Sequence, residues 1–496
     1  MMHNVLNWLF TGFVIMGSTP LWVSLYQFFF IGKHSYCNHY KKTGACFPRV
    51  AILVPAWNEV NVLNTSIDIL MDMSYPKSKL KIYIIDDAST DETPALMKKK
   101  IKEYPQNVFH LRREKGGQGK AHTLNHGLKH ILSESWAEAL LIMDADVLFE
   151  KSTLRKMTRH LADPTVGAIT AYIKEGSRPG NQMTKFIDFE YITAQAASRR
   201  AQNVFGFMAC LAGGAQLHTR DNLLKIGGQI DTSSLAEDTF TTFKTQLVGN
   251  KAIFDGNAIV WAEEPDSIDG LWKQRLRWAR GNLQITRQYR HLWCNKKLHP
   301  FLGSIGFSLI WFSILLMPIF MILASIGLVS LFFVDFPLSW KLFKLYWILN
   351  VLVYVFVTFF SFLIDTDSAK NSWLQGIIFP GLISLTIIII SYIPGLLEYL
   401  ILEGKHYESW RSLKLSTISI ILFLYAWLAL CMVGAYCAKL VEKNRYLAFL
   451  AQPLLTITGY GPLLCAITMN SYFSELLGKE MKWDKTEKKG KVEIKK

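Results

Sequence analysis

The sequence predicts an α/β domain on a mostly parallel sheet joined to an α-helical transmembrane region. Three observations lead there. Half of the 496 residues are hydrophobic, yet residues 49–300 have the ordinary mix of a globular protein, so the apolar excess lies in the flanks. Long uncharged runs recur in those flanks. Between them, short apolar runs alternate with helical stretches and end in acidic residues.

The uncharged runs fall at residues 11–31, 301–334, 345–364, 374–397, 415–438 and 448–472. A span needs roughly 20 apolar residues, so these are six candidate spans. No basic region precedes the first, which argues against a cleaved signal peptide. Lys33, Lys41, Lys42 and Arg49 follow it and favour the cytoplasmic side for what comes next. The Lys-rich tail is expected on that side too, although one span before the soluble part and five after would put it outside. One late segment is therefore expected not to cross: 448–472, broken by Pro453, Gly459, Gly461 and Pro462, or 374–397, broken by Pro380 and Pro394. The expected division is 1–48, an N-terminal span and basic linker; 49–300, the soluble domain; 301–472, the C-terminal spans, five or six in all with the first; and 473–496, a basic cytoplasmic tail.

Cys37, Cys46, Cys210, Cys294, Cys431, Cys437 and Cys465 form no CxxC pair and no zinc-type cluster, so they read as reduced packing residues. The net charge of +15 is spread along a hydrophobic chain. Anionic membrane lipids and an anionic nucleotide account for it better than nucleic acid does.

Within the soluble domain RVAILVP (49–55), KIYII (81–85) and ALLIM (139–143) read as strands. They end in Asn58-Glu59, Asp86-Asp87 and Asp144-Ala145-Asp146, and ligands of such sheets bind outside the carboxyl ends of strands. In extended backbone Asp144 and Asp146 point to one side, where two carboxylates can share Mg²⁺ or Mn²⁺ with a diphosphate; a solvated turn is the plainer reading. Asp86 and Asp87 suit the base and ribose of a nucleotide, or an Asx turn, and Glu59 joins them as a nucleotide-sugar-binding candidate. Lys115-Gly116-Gly117-Gln118-Gly119-Lys120 lets backbone approach a phosphate, with Lys120 as a point charge, and lacks the Walker pattern. His122, His126 and His130 form a helical stripe, read as packed or solvated rather than metal-binding. Glu237-Asp238 opens a helix; either it caps that helix, or it supplies a general base.

The sharpest signal is Gln274-Arg275-Leu276-Arg277-Trp278 within LWKQRLRWARGNLQITRQ (271–288). Gln274, Arg277 and Trp278 share a helical face, joining an amide, a guanidinium suited to diphosphate and a platform for a sugar ring. A basic amphipathic helix beside a membrane gives the same pattern.

In this order VPAWNE, DDAST, KGGQGK, DAD, AED and QRLRW resemble the family 2 processive β-glycosyltransferases, the group of cellulose, chitin, hyaluronan and poly-β-1,6-N-acetylglucosamine synthases. The likeness covers about residues 49–288 and reaches faintly to Trp483-Asp484-Lys485-Thr486. It implies a GT-A-type nucleotide-sugar transferase domain, nucleotide binding at Asp87 and Lys120, metal and diphosphate binding at Asp144 and Asp146, and the base at Asp238. It also implies that Gln274, Arg277 and Trp278 bind diphosphate and the terminal acceptor sugar. The FFCGS-like segment of cellulose synthases is replaced here by Cys210-Leu211-Ala212-Gly213-Gly214-Ala215, which argues against cellulose as product.

The expected reaction moves a hexose or N-acetylhexosamine from a UDP-sugar to a growing β-linked polysaccharide, with inversion. The competing readings are a single transfer to a membrane lipid, and a non-catalytic transporter or regulator with a decayed domain. Expected partners are the nucleotide sugar, the polysaccharide or lipid acceptor, membrane lipids and an accessory membrane subunit, with no nucleic acid. The expected location is the cell (inner) membrane.

Overall fold

The computed structural model describes residues 2–36, 43–480 and 490–494. Cys37, Lys41, Lys42 and the 483–486 motif lie outside the described residues. The chain forms two compact units, one of Phe30–Asp266, Gly281–Phe307 and Glu480–Lys496, the other of Met1–Phe29, Ser267–Arg280 and Ser308–Lys479.

The first unit is built on one sheet. Its described strands are β1 (Val50–Ala56), β2 (Leu80–Asp86), β3 (Val108–Arg112), β4 (Ala139–Met143), β5 (Leu148–Phe149), β6 (Val166–Glu175), β7 (Ala215–Thr219) and β8 (Lys251–Ala262), in the order β3-β2-β1-β4-β7-β6-β8-β5. Strands β3, β2, β1 and β4 run parallel, as do β6 and β8. Strand β7 is antiparallel to both its neighbours, and β5 to β8. The sheet is thus mixed but mostly parallel. Every residue of β4 is buried, which is why ALLIM is an unbroken apolar run: a strand covered on both faces has no polar side to show.

Helix Lys120–Ser133 packs Leu124, Leu128 and Ile131 against Leu53, Ile85, Leu140 and Ile142 of the sheet. Its approach to β2 needs a glycine, since a Cβ at Gly127 would meet Ile85 Cδ1 at 2.2 Å. That packing fixes where the helix begins, and Lys120 is its first residue.

Parallel strands deliver their carboxyl ends to one edge. Glu59, Asp86, Asp87 and Asp144 follow from this. Because β7 is antiparallel, with Ala215 opposite Met143, the edge also receives Gly213 and Gly214. Strand β4 stops at Met143, and Val147 N–H then donates to Asp144 O at 3.3 Å. Asp144 and Asp146 therefore sit in a turn rather than the expected extended backbone, because β4 loses its ladder partner after Met143.

Residues 490–494 rejoin this unit. Arg178 N–H donates to Lys491 O at 2.7 Å and Glu493 N–H to Gly176 O at 3.1 Å. Gly490 N–H donates to Glu263 Oε2 at 3.0 Å.

In the second unit lie helices long and apolar enough to cross a membrane: Met317–Val334, Phe336–Ile364 and Leu415–Glu442, with the N-terminal Met2–His34 as a fourth. The expected run 301–334 divides into Ile305–Leu315 and Met317–Val334, the second opened by Pro318, a residue suited to the first turn of a helix. Helix Met2–Gly17 lies close against Met317–Val334 through small residues: a Cβ at Gly17 would meet Ala324 Cβ at 2.5 Å, and one at Gly327 would meet Phe10 O at 2.7 Å.

The two runs flagged for their prolines and glycines are the interrupted ones. Thr366–Ile377 and Leu382–Tyr392 meet at 81°, and Ala448–Thr458 and Tyr460–Leu476 at 101°. The breaks touch each other: a Cβ at Gly381 would lie 2.5 Å from Thr458 C, and one at Gly459 would lie 2.5 Å from Pro380 C. Both glycines have positive φ, +91° and +105°.

Candidate active site

Lys120 stands at the centre of the acidic edge. Its Nζ lies 2.5 Å from Asp144 Oδ1 and 3.6 Å from Glu237 Oε1, and donates to Gly213 O at 3.2 Å. Burial works to lower its pKa, but the carboxylates of Asp144, Glu237 and Asp238 outweigh it and hold the ammonium above the ordinary lysine range. Asp238, on the first turn of helix Glu237–Leu247, accepts Gly213 N–H at Oδ2, 3.2 Å away, and Thr239 N–H at Oδ1, 2.7 Å away. Gly213 is hemmed in: a Cβ there would lie 3.1 Å from Asp238 Oδ2 and 3.2 Å from Lys120 Nζ. Four elements distant in sequence thus converge on one point.

The second group surrounds Asp87. Its Oδ2 accepts Gly117 N–H at 2.9 Å, and Arg113 pairs with Oδ1. Gly116 lies directly on the Asp87 main chain, where a Cβ would be 2.1 Å from the carbonyl oxygen. Gly117 and Gly119 have φ of +83° and +101°, so the loop needs glycine for its shape as well as for its approach.

Asp86 is fully buried. Ser89 N–H donates to its Oδ1 at 2.7 Å, while Arg112 Nη1 and His110 Nε2 lie 2.6 and 3.1 Å from Oδ2. Burial pushes this carboxyl up, yet those hydrogen bonds and the guanidinium bring it down to about 2. Asp86 thus closes the turn that follows β2. Glu59 stands at the start of helix Val60–Asp72, where its N–H donates to Thr93 Oγ1 at 3.1 Å. The adjoining Asn58, at φ +54°, accepts Thr90 N–H at 2.8 Å.

His110, Arg112 and Arg113 escaped sequence reasoning. Arg112 is the register partner of Asp86, a relation visible only once β3 is known to pair with β2. His126 and His130 of the histidine stripe are exposed, and His130 lies 3.3 Å from Glu134.

Gln274, Arg277 and Trp278 lie in the second unit, on helix Ile268–Gln288. Arg275, passed over in the sequence, joins two of them: its Nη1 donates to Gln274 Oε1 at 2.5 Å, and its guanidinium lies 4.1 Å over the Trp278 ring. That half of the helix is fastened at both ends. Glu442 accepts Ile268 and Asp269 N–H at 2.9 and 2.7 Å, and Arg280 Nε donates to Glu475 Oε1 at 2.6 Å. Asp269 adds Lys443 at 3.0 Å.

Asp144 and Asp146 are both partly exposed oxygen donors on one turn. The ammonium against Asp144 shows that positive charge is already stable there. Both features fit a hard divalent cation.

The fold is shared. A mannosyltransferase from Pyrobaculum calidifontis, PcManGT, solved with GDP-Man and Mn²⁺, aligns with a TM-score of 0.52 at 22% identity over 65% of this chain and 86% of that one. The fold is that of a GT-A glycosyltransferase. Residues 48–281 match the family described as Glycosyltransferase like family 2, and the chain carries a family 2 glycosyltransferase domain. Among curated relatives, the poly-beta-1,6-N-acetyl-D-glucosamine synthase of Staphylococcus aureus (strain MSSA476) is 27% identical over 237 residues, 48% of this chain and 55% of that protein. The N-acetylglucosaminyltransferase of Rhizobium meliloti (strain 1021) is 28% identical over 265 residues, 52% of this chain and 60% of that protein. A glycosyltransferase-type protein of Bacillus subtilis (strain 168), YdaM, is 29% identical over 244 residues, 49% and 57% of the two chains. The chain thus spans little more than half the length of the relatives it matches.

Proposed function

We propose that the protein is a membrane-bound inverting transferase that moves N-acetylglucosamine or a related hexose from a UDP-sugar onto a growing β-linked polysaccharide. The observation that carries this is the convergence of Lys120, Asp144, Glu237, Asp238 and Gly213 at the carboxyl edge of the sheet. The named relatives that make or transfer N-acetylglucosamine support the sugar. Asp87 and the 115–120 loop bind the nucleotide, with Glu59 and Asp86 supporting that edge. Lys120 offers its charge to the diphosphate. Asp238 takes the proton of the attacking acceptor hydroxyl, and a single displacement of this kind inverts the product. Asp144 and Asp146 would hold Mg²⁺ or Mn²⁺, which when bound neutralises the charge gathering on the departing diphosphate; PcManGT was solved with Mn²⁺.

The test is incubation of the full chain in membranes with radiolabelled UDP-N-acetylglucosamine or UDP-glucose, with product length read on gels and by mass spectrometry. A polymer supports the reading. A single sugar on lipid replaces it with a lipid-directed transferase, and no transfer from any nucleotide sugar removes it.

Gln274, Arg277 and Trp278 keep the diphosphate and acceptor roles that the resemblance assigns. An indole face suits a pyranose ring and cannot pair with phosphate, so Trp278→Ala is expected to impair transfer with nucleotide affinity nearly unchanged. Calorimetry with UDP checks this: equal loss of affinity in Trp278→Ala and Arg277→Ala removes the division of labour.

The pairing of residues 490–494 with Gly176 and Arg178 supports a tail on the same side of the membrane as the transferase domain. The chain between them then crosses an even number of times, which the three long helices satisfy with one interrupted pair. A reporter fused after Lys496 is expected to read as cytoplasmic. An external reading overturns this topology.

A further inference from the structure

Residues 207–212 form neither helix nor strand, yet Met208, Leu211 and Ala212 are buried. Buried irregular backbone must find partners for its N–H and C=O groups. Here side chains supply them. Gln246 Oε1 accepts Met208 N–H at 2.9 Å and Gln246 Nε2 donates to Met208 O at 2.8 Å. Thr242 Oγ1 accepts Leu211 N–H at 2.9 Å and donates to Asp238 O at 2.7 Å. Thr170 Oγ1 accepts Ala212 N–H at 3.0 Å, and Asp238 Oδ2 accepts Gly213 N–H at 3.2 Å.

Three of these side chains, Asp238, Thr242 and Gln246, recur at i, i+4 and i+8 on helix Glu237–Leu247. They share one face, so a single helix face grips the segment at three successive points. Its last point is Gly213, whose N–H meets Asp238 and whose carbonyl meets Lys120. Core packing alone would be met by apolar side chains at 242 and 246. Instead both positions are polar, buried and turned to the same stretch of backbone.

We propose that Thr242 and Gln246 are positioning residues for sugar transfer: they hold segment 208–213 so that the Gly213 N–H stays on the Asp238 carboxylate. This rests on the reading of Asp238 as the base. Neither residue belongs to the strands assigned to the nucleotide.

The experiment uses the full chain in detergent with the UDP-sugar that supports turnover in the panel above. Thr242→Val keeps the shape and removes the hydroxyl; Thr242→Ser restores it. In Thr242→Val, kcat is expected to fall about tenfold with donor affinity unchanged, because the base is no longer held in place against the acceptor hydroxyl. Thr242→Ser returns kcat toward wild type. If Thr242→Val lowers only the melting temperature, or leaves kcat as it was while Asp238→Asn is inactive, the positioning role is overturned and the base assignment stands. If Asp238→Asn is active, the base assignment itself has failed. Should Thr242→Val not accumulate, Gln246→Glu, which keeps the acceptor for Met208 N–H and loses the donor to Met208 O, is read against the same outcomes.

Discussion

Asp238→Asn is expected to lower transfer by about 10²–10⁴-fold, the usual worth of general-base catalysis, while donor binding and membrane insertion stay near normal. Asparagine keeps the size of the side chain and an oxygen that can accept Gly213 N–H at the position of Oδ2, while its NH2 takes the place of Oδ1 beside Thr239 N–H. What it loses is the ability to take a proton. Glu237→Gln is the internal comparison, since Glu237 faces Lys120 at 3.6 Å and contributes to the charge around it. Single-turnover kinetics on the two variants separate the roles. An inactive Glu237→Gln beside an active Asp238→Asn moves the base by one residue. Near wild-type turnover in both excludes this pair from activating the hydroxyl.

Removal of divalent metal by EDTA is expected to abolish transfer, with activity returning on addition of Mg²⁺ or Mn²⁺. Asp144→Asn and Asp146→Asn should each weaken binding of Mn²⁺ and of the nucleotide, because each removes a negative charge facing the cation. Asp144 has a further consequence: it is the closest partner of the buried Lys120 ammonium, so its neutralisation also unbalances Lys120. A larger loss in Asp144→Asn than in Asp146→Asn is therefore expected, measured by Mn²⁺ titration with electron spin resonance. Full activity in excess EDTA would sink the metal assignment.

The parts legible in the sequence were those in which one segment carries its own signal. ALLIM announces a strand covered on both faces, and an acidic residue after such a run marks the carboxyl edge. Lys120 and Glu237 were readable as helix starts. What stayed hidden depends on which segments become neighbours. Arg112 and His110 matter because β3 lies beside β2, and Gly213 matters because antiparallel β7 begins opposite the end of β4. The spacing of Asp238, Thr242 and Gln246 was present in the sequence, but the backbone they hold was not marked by any motif. The Asp144–Asp146 pair shows the intermediate case: the residues and their place were readable, whereas the turn depended on where the ladder of β4 ends.

The prolines and glycines of the two interrupted helix pairs were readable as breaks, but their mutual contact was not. In a membrane each break would leave main-chain groups that lipid cannot satisfy, and each is covered in part by the other, Gly381 by Thr458 and Gly459 by Pro380. The two bends are then expected to depend on each other. In evolutionary terms the two form a single trait: lineages should keep or lose them together, and a side chain introduced at Gly381 should be rescued by change around residue 458 more readily than by change in its own helix.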